Sequence, residues 1–119
     1  MSEIPIPLIN YVDLIRKHKS PYYEIVEFLM KDMELHFSRS DKKPGVVYTI
    51  NPRMLHEEIE KKISDEKLTS VNVCRTVLAM LKGAKLDEDD YYITTTSSGR
   101  RNYHIKVNDR NLTLISTLL

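Results

Sequence analysis

The chain has 119 residues, enough for one hydrophobic core and too few for two ordinary domains. Its hydrophobic fraction of 41% and charged fraction of 29% are those of a globular protein, with no apolar run of membrane-spanning length and no signal-peptide pattern at Met1-Ser2-Glu3; a cytoplasmic protein without membrane contact is expected. The formal charge of +1 argues against a polyanion binder when taken as a sum, and the single cysteine, Cys74, excludes an internal disulfide and a cysteine-based zinc finger.

Ile4-Pro5-Ile6-Pro7 is predicted to be an extended lead-in ending near Leu8, because proline fixes its own φ and biases its predecessor away from helix. A first helix follows over Ile9 to His18, with Leu8, Tyr11, Val12 and Ile15 at helical spacing and Arg16, Lys17, His18 and Lys19 at its C-terminal end. Ser20-Pro21 restarts a helix, with Ser20 as N-cap and Pro21 in the first turn. Tyr22, Ile25, Val26, Leu29, Met33 and Phe37 continue its apolar face.

The polar stretch Ser38 to Gly45 reads as a loop, and Val46 to Ile50 as a short β-branched strand. Asn51-Pro52 then caps a helix from Arg53 to about Ile63, buried through Leu55, Ile59 and Ile63. Its outer face carries Glu58 and Lys62 at the i,i+4 spacing of an ion pair. Ser64-Asp65-Glu66-Lys67 connects it to a helix over Ser70 to Lys82, preceded by Thr69. The expected buried stripe of that helix is Cys74, Val77, Leu78 and Leu81, with Val71 beside it; the expected outer face is Asn72, Arg75, Thr76, Ala79 and Lys82.

Asp87-Glu88-Asp89-Asp90 reads as a hydrated turn. A hairpin follows from Tyr91 to Val107, with Tyr103, Ile105 and Val107 alternating with His104 and Lys106 across the turn Ser97-Ser98-Gly99-Arg100-Arg101. Asn108-Asp109 caps a last helix through Leu112, Ile115, Leu118 and Leu119. So much terminal apolar surface requires a cover, either the N-terminal helices or a second subunit.

Charge is unevenly distributed along this order. Thr69 to Leu86 and Tyr91 to Val107 together hold six Lys or Arg residues (Arg75, Lys82, Lys85, Arg100, Arg101, Lys106) and no acid, a local bias toward polyanion binding. Asn72, Arg75 and Thr76 offer donors and acceptors of the kind that read base edges in a major groove. Arg100 and Arg101 at a hairpin tip suit phosphates or a narrow minor groove. For catalysis the residues argue poorly: the four histidines form no i,i+4 pair, there is no phosphate-binding glycine loop, and Cys74 lies on the expected buried face. No cofactor, metal site or catalytic residue is expected.

The order helix, short strand, helix, tight connection, helix, two-stranded hairpin resembles the winged helix-turn-helix family over Pro21 to Val107, most specifically in Leu68-Thr69-Ser70, the run from Cys74 to Leu81, and the hairpin. The resemblance implies an α+β, mostly helical fold: a winged helix over 21–107, an N-terminal extension with a short helix over 1–20, and a C-terminal apolar helix over 108–119 that could contact a second subunit. It also implies double-stranded DNA as partner, with 70–82 as recognition helix and 91–107 as wing. Carried over by position, Thr69, Ser70, Asn72, Arg75, Thr76 and Lys82 would meet bases or nearby phosphates, and Arg100 and Arg101 would occupy the wing. The expected protein is a homodimeric, nucleoid-associated transcriptional regulator. The alternative is a winged helix used for protein interaction, or a subunit of a replication or transcription assembly.

Overall fold

A computed structural model describes residues 6–63 and 68–119. The expected lead-in at Ile4-Pro5 and the connection Ser64-Asp65-Glu66-Lys67 lie outside the described residues. In chain order the elements are α1 (Ile6–Arg16), α2 (Tyr22–Arg39), β1 (Val47–Ile50), α3 (Pro52–Lys62), α4 (Ser70–Gly83), a 3-10 turn (Glu88–Asp90), β2 (Tyr91–Thr95), β3 (Arg101–Lys106) and α5 (Asp109–Ser116). They make an α+β domain, mostly helical, with one three-stranded antiparallel sheet in the order β1-β3-β2.

Two starts differ from the sequence expectation. Ile6 and Pro7 belong to α1 rather than to an extended lead-in. Proline at a first turn forfeits no hydrogen bond, since that N–H has no intrahelical partner, so the same residue is compatible with either reading. Ser20 does not cap α2: Pro21 holds the cap position, and the Ser20 hydroxyl donates instead to Glu24 Oε1 at 3.0 Å.

The later caps follow their side chains. Asn51 Oδ1 accepts from the N–H groups of Arg53 and Met54 at the start of α3 (3.0 and 3.2 Å), Thr69 Oγ1 accepts from Asn72 N–H for α4 (3.2 Å), and Asn108 Oδ1 accepts from Asn111 N–H for α5 (2.8 Å). On the outer face of α3, Glu58 pairs with Lys61 at 3.3 Å, while Lys62 lies 4.5 Å from the centre of the Phe28 ring. The i,i+4 pair expected of Lys62 is thus replaced by a cation on an aromatic face.

α4 is the centre of the helical layer, with α1, α2 and α3 all packed against it. Gly83 makes the α1 crossing possible: a Cβ there would lie 3.0 Å from a Val12 methyl carbon and 3.5 Å from Leu118. β3 is the middle strand, so Tyr103 and Ile105 on its inner face are fully buried. On its outer face Tyr92 stacks on His104, whose Nδ1 and Nε2 lie 3.0 and 2.7 Å from the hydroxyls of Thr49 and Thr94. Ile93 lies opposite the buried Tyr103 on the edge strand β2 and is itself 41% exposed.

The terminal helices are part of the same core. Val12 and Ile15 of α1, Ile115 of α5 and Leu118 are buried in one cluster with the central residues of α2, α4 and β3. Asn111, itself buried, donates through Nδ2 to the Lys106 carbonyl (2.9 Å) and to Asp90 Oδ2 (3.2 Å), tying α5 to the strand and turn before it. Among the described residues, no helix is long and apolar enough to cross a membrane.

Candidate nucleic-acid interface

Two helix starts and the hairpin tip converge on one groove. Capping sets the starts of α3 and α4, and the hairpin turn closes through Gly99 N–H to the Thr96 carbonyl (2.9 Å) and Thr96 N–H to the Arg100 carbonyl (2.8 Å). Gly99 takes φ +83°, a left-handed conformation that a side chain would strain. The turn leaves Arg100 at the tip and Arg101 at the start of β3, paired with Thr95.

The groove between them has a volume of about 580 Å³ and is lined by Asn51, Pro52 and Arg53 of the α3 start, Ser70, Val71, Cys74, Arg75 and Leu78 of α4, and Gly99, Arg100 and Arg101 of the hairpin. Four guanidiniums therefore share one concavity, with no acidic residue among its described lining residues. Among the described residues none of the four pairs with a carboxylate. The N-terminal ends of α3 and α4 add the positive ends of two helix dipoles. Val71, Cys74 and Leu78 lie along one strip of α4 between these charges and supply apolar surface; Val71 is 56% exposed, and Cys74 and Leu78 are half-buried.

Ser70, Arg75, Arg100 and Arg101 thus line one groove. Thr69 is exposed beside them, but its hydroxyl is engaged as the cap of α4. Lys82, half-buried, is in the last turn of α4, roughly 10 Å along the axis from Arg75 at 1.5 Å per residue, and does not line the groove. One expected contact residue is corrected. Thr76 is fully buried, its hydroxyl donating to the Asn72 carbonyl at 2.7 Å, and so cannot face a ligand. Asn72 is half-buried, and its Oδ1 accepts a hydrogen bond from the Tyr11 hydroxyl at 2.9 Å. Ala79, also placed on the outer face, is buried, whereas Val71 and Cys74, expected on the inner stripe, line the groove.

The residue missed was Arg53. A signal for it was present: a helix that starts at Pro52 after an Asn51 cap places Arg53 in its first turn, at the end from which the chain leaves β1. The Tyr103 hydroxyl is buried beside the Cys74 thiol and the Arg101 guanidinium, with no hydrogen-bond partner at bonding geometry among the described residues. Burial, followed by the neighbouring Cys74, pushes the Tyr103 pKa up to about 12, against a smaller opposing effect of Arg101.

The acidic run lies at the other end of α4. Asp87 pairs with Arg110 at 2.9 Å, and Asp90 accepts from Asn111, so two of its four carboxylates are tied to α5. Fold and groove together define a small α+β domain with a basic concavity floored by apolar side chains. In comparisons with known proteins the chain matches no family model, no curated protein and no solved structure.

Proposed function

We propose that this chain is a winged helix-turn-helix protein that binds double-stranded DNA, most simply as a transcriptional regulator acting at the nucleoid. In this reading α2, β1, α3, α4 and the β2–β3 hairpin are the winged-helix unit, α4 is the recognition helix, the hairpin is the wing, and α1 and α5 are additions. The element order and the sheet order β1-β3-β2 support it. The observation that carries it is the groove holding Arg53, Arg75, Arg100 and Arg101, with no acid among its described lining residues. A sugar-phosphate strand is a convex anionic ridge, and such a groove is its complement in shape and sign.

The reading is tested by fluorescence anisotropy on random-sequence duplex over a range of salt concentrations. Four phosphate contacts give a slope of log affinity against log salt of about −3.6, and Arg75→Ala should reduce its magnitude by about 0.9. The double change Arg100→Ala, Arg101→Ala should reduce it by about twice that, and the melting temperature should not move, since all these side chains are exposed. Absence of binding at low salt would overturn the reading.

In the terminal segments Leu8, Val12, Ile15, Ile115 and Leu118 are buried within the chain, so a second copy docking there would meet the exposed Ile9 and the half-buried Leu112 and Leu119. The apolar floor of the groove favours one other reading, a winged helix that docks a protein segment. That reading predicts arginine variants that leave duplex binding unchanged.

A further inference from the structure

The hydrogen-bonding side chains that α4 offered as base readers are mostly engaged inside the protein. Thr76 is buried on the Asn72 carbonyl, Asn72 holds the Tyr11 hydroxyl, and Thr69 caps the helix. What α4 presents in the groove is Ser70, Arg75 and the strip Val71, Cys74 and Leu78. Val71, in the first turn, is the most exposed member of that strip at 56%. Its neighbours at i+3 and i+7 continue the same face.

A major groove has one apolar feature for such a strip to meet, the 5-methyl group of thymine; all other base-edge groups are hydrogen-bond donors or acceptors or bare ring edges. We infer that Val71, with Cys74 and Leu78 behind it, is a thymine-methyl contact, so that this protein discriminates between duplexes through methyl packing as well as through hydrogen bonds. The inference rests on the DNA reading and assigns that site its base preference. The arginines of the same groove would hold phosphates, and the apolar strip adds a preference for thymine to whatever the hydrogen bonds read.

The test compares a short alternating dA·dT duplex with the same duplex carrying deoxyuridine in place of thymidine. The alternating duplex puts a methyl at every base pair, so every docking register meets one, and the replacement removes the methyls while keeping the hydrogen-bond pattern. Tighter binding of the thymine duplex by about fourfold for each methyl packed is expected, from about 0.8 kcal/mol for a buried methyl-sized group. Val71→Ala should bring the ratio of the two affinities toward one while leaving the salt slope unchanged, and Val71→Ser should do so further.

Equal binding of the two duplexes by the unsubstituted protein, or a ratio unaltered by either Val71 substitution, overturns the inference and leaves the DNA reading standing. If the strip instead takes an apolar side chain of a protein partner, the result is the equal one. Failure to bind either duplex at low salt overturns the DNA reading, and the inference with it.

Discussion

Thr76 shows why polarity along a helix is an incomplete guide to its exposed side. A threonine that donates to the carbonyl four residues back satisfies its own hydroxyl, so it can be buried without a partner from elsewhere. Ala79 carries nothing polar and is buried for the same absence of cost. Arg75, Arg100 and Arg101, by contrast, are exposed, because a guanidinium without a carboxylate has no inexpensive way into a core. Tyr103 is the opposite case, a fully buried hydroxyl with no partner at bonding geometry. Such a group costs about 1–3 kcal/mol. Tyr103→Phe should therefore hold or raise the melting temperature at neutral pH. The pKa pushed up to about 12 means that the folded state keeps its proton where an unfolded tyrosine loses it, above its usual value of 10.0. Stability from this source is complete below pH 10 and falls as pH rises from there toward 12. Melting curves followed by circular dichroism from neutral to alkaline pH should show a shallower alkaline loss in Tyr103→Phe. A fall of more than a few degrees at neutral pH would show that the hydroxyl is bonded.

At the level of elements, the starts of α3, α4 and α5 were legible because an Asn or Thr cap leaves a local mark that distant packing does not override. The hairpin was legible through the alternation of Tyr103, Ile105 and Val107 and through Gly99. The phase of α4 was not. A helix with one neighbour has one buried stripe, but α4 has three helical neighbours, and its apolar pattern is spread around most of its circumference. The groove was only partly legible for a related reason: Arg53 reaches it by a tertiary approach of two helix starts, with 16 positions between Arg53 and Ser70 in the chain. The contact at Gly83 offers a direct check on the central position of α4. A methyl placed there meets Val12, a β-branched residue with little rotamer freedom, at 3.0 Å. Overpacking of this kind costs about 1–3 kcal/mol, offset in part by about 1 kcal/mol of helix propensity. Gly83→Ala should thus lower stability by about 1 kcal/mol net in urea titrations, and a gain in stability would mean that α1 is not held against α4.

At the scale of the whole fold, α1 and α5 pack into one core with the elements between them. Leu118 is 1% exposed and shares the Gly83 site with α1, so the C-terminal segment closes the core that the N-terminal helix opens. Leu118→Ala should cost about 2–4 kcal/mol, as cavities in closed cores do. The loss should be independent of protein concentration in denaturant titrations, whereas dependence on concentration would mean that the segment is shared between copies. Closure also separates the charges. The guanidiniums collect where α3 and α4 begin and the hairpin turns, while Asp87 and Asp90 are held by Arg110 and Asn111 beyond the end of α4, at the root of the same hairpin. On a chain of net charge +1 this places guanidiniums where α4 begins and carboxylates held by α5 beyond its end, and under the proposed DNA binding such a separation would orient the protein in the field of a duplex. Orientation of that kind would raise the encounter rate, an effect that shrinks as added salt shortens the reach of the field.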